Sequence, residues 1–258
     1  MSYVVLVSIK HYKDPKLNTK EDFDLLTEFG KYFSESIGTN AEKLANFTKF
    51  VSRQNLTHFL ARYELFKKIL HVHGSIIDCG ILFGGGLMTF AKLSSIFEPV
   101  NYQRKITGFD TFAGYPKLSK KDQHSNSTVM RKGGLKIDTY DDFKRCIELY
   151  DSNRFLNHIP KVELVKGNAV RTIPKYLKDN PQTVVSLLYL DFGPYEPTKV
   201  ALENFLPRMP KGSIVAFEVL NNKGYTGETK AALDSVGISN LRLQRFNFES
   251  NMSYAIIE

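Results

Sequence analysis

The chain has 258 residues, 42% of them hydrophobic and 24% charged, with a formal net charge of +8. That is enough chain for one large α/β domain with a buried core and a small helical addition, at a composition ordinary for a globular protein. Cys79 and Cys146, far apart, exclude a disulfide framework and fit a reducing compartment; no apolar run approaches the ~20 residues of a membrane span. The opening MSYVVLVSIK lacks the basic start and small-residue cleavage site of a secretion signal, so a cytoplasmic protein with no membrane partner is expected. The positive charge has two readings, a lysine-rich solvated surface or attraction of an anionic substrate. No arginine-rich arm or aromatic-interleaved patch of the nucleic-acid kind stands out, so no nucleic-acid partner is expected.

In chain order, a short strand at Tyr3–Ile9 comes first. Asn18 or Thr19 caps a helix from Lys20 to about Ile37, with Phe23, Leu26, Phe33 and Ile37 as its apolar face. A second helix runs over about Ala41–Val51. A third, about Leu56–Val72, offers Phe59, Leu60, Tyr63, Phe66, Ile69 and Leu70 for burial. Residues 1–73 thus read as a helical extension, able to cover a ligand or form a homo-oligomer contact, ahead of a domain at 74–258.

That domain opens with SIIDCGILFGGGLMTFAKLSSIFEPVNYQRKITGFDTFAGYP, which reads strand, glycine-rich turn, helix, strand, acidic residue. Ser75–Cys79 is an apolar run of the kind a doubly covered strand needs. Gly80, Gly84 and Gly86 allow a sharp turn and close approach of a ligand. Leu87–Phe97 carries Leu87, Phe90, Ala91, Leu93 and Ile96 at helical spacing, and Lys105–Phe109 is the second strand, ended by Asp110. In open α/β sheets the ligand lies beyond the carboxyl ends of the strands, where these glycines and Asp110 fall. A dinucleotide site also wants a glycine-rich turn and an acidic residue, but the spacing here is Gly-x-x-x-Gly-Gly-Gly, with Thr89 where the last glycine of GxGxxG would stand. Asp78, two residues before Gly80, better suits S-adenosylmethionine, whose cationic methionyl amine it can position.

Between Tyr115 and Lys136 there is no apolar periodicity, only polar residues with Lys117, Lys120, Lys121, Arg131, Lys132 and Lys136 among them. A segment of this kind leaving a strand's carboxyl end predicts a mobile lid at about 117–136. A helix follows over Asp138–Ser152, a strand over Lys161–Lys166, a short helix or turn over Thr172–Lys178, and an apolar strand over Val184–Leu190 ending in Asp191. Glu196–Leu206 is the next helix, and Ser213–Phe217 the next strand, ending in Glu218. Leu241–Phe246 and Met252–Ile257, joined by about five polar residues, read as a hairpin and therefore an antiparallel pair. A dinucleotide-binding sheet is all parallel; a Rossmann-like α/β class I methyltransferase sheet has seven strands with the last reversed. The hairpin favours the latter.

The runs DCGILFGGG, GFDTFAGYP, LLYLDFGPYEPTKVALENFLPRMPKGSIVAF and GYTGETKAAL resemble the macrocin O-methyltransferase family of class I S-adenosylmethionine-dependent enzymes, which methylate sugar hydroxyls. The resemblance spans roughly Phe50 to Leu233. It implies S-adenosylmethionine as cofactor, contacted by Asp78, Gly80, Gly84, Gly86, Asp110, Thr111 and Asn168, the last standing where the family usually has Asp. It also implies Asp191 as the family's first metal-binding carboxylate beside the acceptor hydroxyl, with Glu218 at the end of the next strand. The family commonly reads Asp-x-Asp at the first place and two adjacent acids at the second; this chain has Asp191-Phe192-Gly193 and Glu218-Val219. Two readings follow: Asp191 and Glu218, with Asn221 or Asn222 as a further ligand, together hold Mg²⁺ or Mn²⁺, which accepts one or two carboxylates plus water, or Asp191 alone acts as general base.

The function expected is S-adenosylmethionine-dependent O-methylation of a sugar, nucleotide-linked or otherwise anionic, in polysaccharide or glycoside biosynthesis. The alternatives are a non-catalytic methyltransferase-fold subunit, motivated by the lost acids, and a dinucleotide-dependent oxidoreductase. FGPYE also bears a faint likeness to the Asn/Asp-Pro-Pro-Tyr motif of amino methyltransferases, but Gly193 cannot hold a target NH₂.

Overall fold

The computed structural model describes Asp14 and residues 16–258; the strand expected at Tyr3–Ile9 lies outside them. Three helices come first. α1 (Lys20–Glu35) begins at Thr19, whose side chain and that of Asp22 cap each other's backbone N–H groups reciprocally. α2 (Asn40–Ala45) starts on a matching Thr39–Glu42 box. α3 (Arg53–Ile69) is capped by Ser52.

Two expectations fail here. α1 stops at Glu35, no α1 residue is buried, and Ile37 is 98% exposed. On α3 the buried stripe is Ala61, Leu65, Phe66 and Ile69, while Phe59 and Leu60 stay exposed. The helix is rotated so that its small Ala61 sits against the sheet layer, which turns the bulky 59–60 pair outward.

The sheet then builds in alternation: β1 (Ser75–Cys79), α4 (Gly85–Phe97), β2 (Ile106–Asp110), α5 (Tyr140–Ser152), β3 (Val162–Lys166), α6 (Ala169–Asp179), β4 (Val185–Leu190), α7 (Tyr195–Phe205), β5 (Ile214–Phe217), α8 (Thr226–Ser235), β6 (Gln244–Phe246) and β7 (Glu249–Ile256). The seven strands lie in the order β3-β2-β1-β4-β5-β7-β6, parallel except for β7, which runs antiparallel to both β5 and β6. All six β4 residues are buried, as a central strand covered on both faces must be. One core layer joins α3, α4 and α5 to the sheet, and the other joins α6, α7 and α8. Each layer buries its own apolar stripe, which is why the sequence alternates strand and helix. Ile96, expected on the buried face of α4, is 67% exposed. Among the described residues no helix is long and apolar enough to cross a membrane.

The segment expected as a mobile lid is packed down. It contains a 3-10 turn, Lys120–Asp122, and Asp122 is only 3% exposed. Asp122 accepts from the Tyr195 N–H at the start of α7 (2.8 Å). Lys121 pairs with Asp234 (2.9 Å), and the Asn126 N–H donates to the Lys223 carbonyl (2.8 Å). From the other side, Asp14 accepts from Ser127, the Thr128 N–H and the Thr128 hydroxyl.

Candidate active site

A cavity of about 730 Å³ opens at the carboxyl ends of β1 to β4, between the strands where the sheet order reverses direction. One side is formed by the β1 and β2 turns (Gly80, Leu82, Asp110) with Gly167 and Asn168 after β3. The other is formed by Asp191 after β4, the Pro194 entry to α7, and the lid from Lys117 to Lys120.

Gly80 has φ +98°, and a Cβ there would overlap the Asp191 carbonyl. Only glycine lets the β1 and β4 ends converge and place Asp191 on the wall. Asp110 organises the opposite turn: one carboxylate oxygen accepts from the Ile81 and Leu82 N–H groups (2.8 and 3.0 Å), the other from Phe112 (2.7 Å). Since a carboxylate has about four accepting positions, room for about one further donor remains. Thr111 closes its own turn, donating to the Gly114 carbonyl at 2.8 Å. Asn168 caps α6 through the Val170 N–H (3.1 Å). Gly80, Asp110, Thr111, Asn168 and Asp191 all line the cavity.

Four other expected site residues do not line it. At Gly84 (φ +83°) the space of a Cβ is filled by the Phe143 ring of α5, and at Gly86 by the Arg62 side chain of α3, whose Nε would stand 3.0 Å away. At these glycines the space of a side chain is filled by protein groups. Asp78 is 2% exposed beneath Arg62, and burial pushes its carboxyl up to about 7 despite that guanidinium. Glu218 is buried too and is engaged from three directions. The Tyr189 hydroxyl donates to one oxygen, His58 Nδ1 lies 3.4 Å from the other, and the Arg62 guanidinium is 3.9 Å away.

The electrostatics follow from this clustering of acids. Asp191 is half-buried and makes, among the described residues, no side-chain hydrogen bond that would favour its charge; burial and the adjacent Glu218 push its carboxyl well above the ordinary range. Glu228, in the first turn of α8, is fully buried. It accepts from the Val219 N–H (2.8 Å) through one oxygen, its other oxygen has no partner among the described residues, and burial raises its carboxyl to about 8. Arg62 is the counterweight: burial opposes its charge, but Tyr189, Glu218, Asp78 and Asp191 around it raise its pKa.

Asp191 and Glu218 do not fit a divalent ion. Glu218 accepts from the Tyr189 hydroxyl with His58 and Arg62 close beside it, while Gly193 and Val219 offer no side-chain donor. A Cβ at Gly193 would meet the Tyr225 ring at 2.9 Å, with the Tyr115 hydroxyl at 3.4 Å. Among the described residues no group of three or more His, Cys, Asp or Glu could hold a metal. Sequence reasoning missed Arg62, His58 and Glu228. The signal was present: His58 and Arg62 fall four apart on the stripe that continues through Leu65, Phe66 and Ile69, and Glu228 precedes the buried Ala231 and Ala232 on α8. A charge on a buried stripe is rarely idle.

Neither a scan against protein-family models nor a search of curated proteins found a match. Solved structures did. CalS11, a calicheamicin methyltransferase, is 32% identical, covers 95% of this chain and 96% of its own, and superposes with a TM-score of 0.89. The chain belongs to the macrocin O-methyltransferase-like family of class I S-adenosylmethionine-dependent methyltransferases. The apo structure of CalS11, there described as a TDP-rhamnose 3′-O-methyltransferase in calicheamicin biosynthesis, gives 31% identity over 95% of this chain and 99% of that one, with a TM-score of 0.80. The O-methyltransferase NovP, at 15% identity, 81% coverage of each chain and a TM-score of 0.60, shares the fold. The chain is therefore an S-adenosylmethionine-dependent O-methyltransferase, and the oxidoreductase and non-catalytic readings fall away. The residues on the cavity wall fit that cofactor: backbone turns without side chains at Gly80 and Gly167, a carboxylate at Asp110, and an amide at Asn168.

Proposed function

We propose that this methyltransferase methylates a hydroxyl of a nucleotide-linked sugar, with Asp191 as the general base. The observation that carries the reading is Asp191 itself, a half-buried carboxylate on the cavity wall with a raised proton affinity. S-adenosylmethionine supplies a methyl group already activated on a sulfonium. What the protein must add is an acceptor oxygen held in line at about 3 Å and a place for its proton. As the acceptor oxygen gained the methyl group and the carbon–sulfur bond broke, with S-adenosylhomocysteine as the leaving group, its proton would pass to Asp191, whose oxygens carry no competing donor among the described residues. An exposed aspartate would be too weak a base for an alcohol; a desolvated one beside Glu218 takes the proton more readily. Asp110 holds the glycine-rich turn in shape and has one accepting position left for a cofactor hydroxyl. The docked lid closes one side against water.

Two features support a nucleotide sugar as acceptor. CalS11 is described as acting on TDP-rhamnose. Lys117 and Lys120 line the lid side of the cavity, where an anionic diphosphate can reach them. Leu118, Phe192, Pro194 and Pro197 give the same side an apolar surface, which suits a sugar face poor in hydroxyls. The test is a panel of nucleotide sugars incubated with methyl-labelled S-adenosylmethionine. Label should appear in the sugar nucleotide, and a chain that binds the cofactor but labels only free aglycones or proteins would refute the reading.

A further inference from the structure

We propose that this enzyme transfers methyl groups without a divalent metal, and that the buried Arg62 guanidinium is the fixed cation of its carboxylate cluster. The inference rests on the methyltransferase reading above but concerns a residue outside the cavity wall.

Three independent observations converge. The first is the state of the acids. Positions 193 and 219 carry no side-chain donor atoms, and the space beside Gly193 is taken by Tyr225. Glu218 accepts from Tyr189 and is flanked by His58 and Arg62. A metal there would have to displace three partners to gain one carboxylate, and would keep Asp191 as its only other acidic ligand.

The second is Arg62. Its side chain is 13% exposed, lies over the Tyr189 ring at 4.7 Å, and sits 3.9 Å from Glu218. Its charge acts on Asp78, Glu218 and Asp191 together. Buried carboxylates need a compensating cation, and a planar guanidinium held over an aromatic face supplies one without water or ligand exchange. A second, divalent cation in the same low-dielectric pocket would be repelled by it.

The third is where Arg62 comes from. It stands on α3, and Gly86 at the start of α4 has no side chain, which leaves the room that the guanidinium fills. The N-terminal extension is thereby wired into the catalytic end of the sheet. His58, one turn earlier, links Glu218 to Glu249 of β7, and Thr57 also donates to Glu249 (3.1 Å). Arg62 is a positioning residue: it fixes Glu218 and Tyr189, and through them the end of β4 that carries Asp191.

Two measurements on the full chain decide the matter. In an electron paramagnetic resonance titration, free Mn²⁺ should remain undiminished by wild-type protein with S-adenosylhomocysteine bound. Methyl transfer after chelation and desalting should stay within about twofold of the untreated rate. Mn²⁺ bound by the wild type and released in Asp191→Asn would overturn the proposal, as would loss of transfer on chelation restored by Mg²⁺. Arg62→Ala should lower kcat by on the order of 10²-fold with cofactor affinity nearly kept, and Arg62→Lys, which keeps the charge, should recover part of it. Full activity in Arg62→Ala would also overturn it. If Arg62→Ala does not fold, the Mn²⁺ titration still decides. A chain that methylates no sugar at all would instead strike the substrate reading, and leaves the Mn²⁺ result to be judged by itself.

Discussion

Replacing Asp122 by Ala should undock the lid. Its carboxylate accepts from the Tyr195 N–H (2.8 Å), the Ser119 N–H (2.9 Å) and the Ser119 hydroxyl (2.9 Å) at 3% exposure. The two Ser119 bonds are local and are exchanged for water when the lid opens. The Tyr195 bond joins lid to α7, and its loss also leaves a buried N–H unpaired. Hydrogen bonds to a charged acceptor net about 1.5–3 kcal/mol, and an orphaned buried donor costs about 1–3 more, so docking should weaken by roughly 3 kcal/mol. That is about two orders of magnitude in the open population. Limited trypsin digestion reads it directly, because Lys117 precedes the turn and Lys120 and Lys121 lie in it; cleavage there should accelerate while the rest of the domain stays resistant. The sugar KM should rise, since Lys117 and Lys120 line the cavity, with S-adenosylmethionine affinity little changed. Gly227→Ala approaches the same contact from α8, where a Cβ would overlap the Asp122 carboxylate, and should reproduce the phenotype. Unchanged digestion and unchanged KM in a folded Asp122→Ala protein would refute the argument.

Glu228→Gln should stabilise the protein at alkaline pH. The folded carboxyl titrates at about 8 against an ordinary 4.5, so stability is fully present below about 4.5 and is lost as pH rises towards 8. The variant, relieved of that loss, should gain on the order of 2–4 kcal/mol over wild type near pH 8.5 and little near pH 4 in urea denaturation; a pH-independent difference would count against a buried proton. Asp110→Ala should weaken both the fold and S-adenosylmethionine binding by about 2–4 kcal/mol, because three turn N–H groups lose one acceptor; calorimetry showing normal affinity would remove Asp110 from the cofactor site. Gly84→Ala should cost about 1–3 kcal/mol of stability through the Phe143 clash, with normal cofactor affinity in whatever fraction folds; weakened affinity without lost stability would return Gly84 to the ligand wall.

Much of the frame was legible because it rests on local pattern. The apolar run at Val185–Leu190 could only be a strand buried on both faces, and the hairpin ending the chain distinguished a mixed sheet from a parallel one. Asp191 was legible for a related reason: an acid at the carboxyl end of a central strand has nowhere to go but the crevice. What escaped depends on pairs far apart in the chain. Gly84 and Gly86 look like a ligand cradle until Phe143 and Arg62 arrive to fill them. The polar stretch from Lys117 to Lys136 looks unstructured because its anchors, Asp122 to Tyr195 and Ser127 to Asp14, are hydrogen bonds without periodicity. Glu218 read as a ligand because strand-end position was known, whereas the donors that occupy it, from α3 and β4, were not.

The most direct test of the account is methyl transfer by Asp191→Asn under single-turnover conditions, with a nucleotide sugar that the wild type methylates. The amide keeps the shape of the side chain and cannot take the proton. Cofactor binding should be near normal, and the transfer rate should fall by about 10²–10⁴-fold. A variant that binds S-adenosylmethionine and transfers at the wild-type rate would contradict Asp191 as the base.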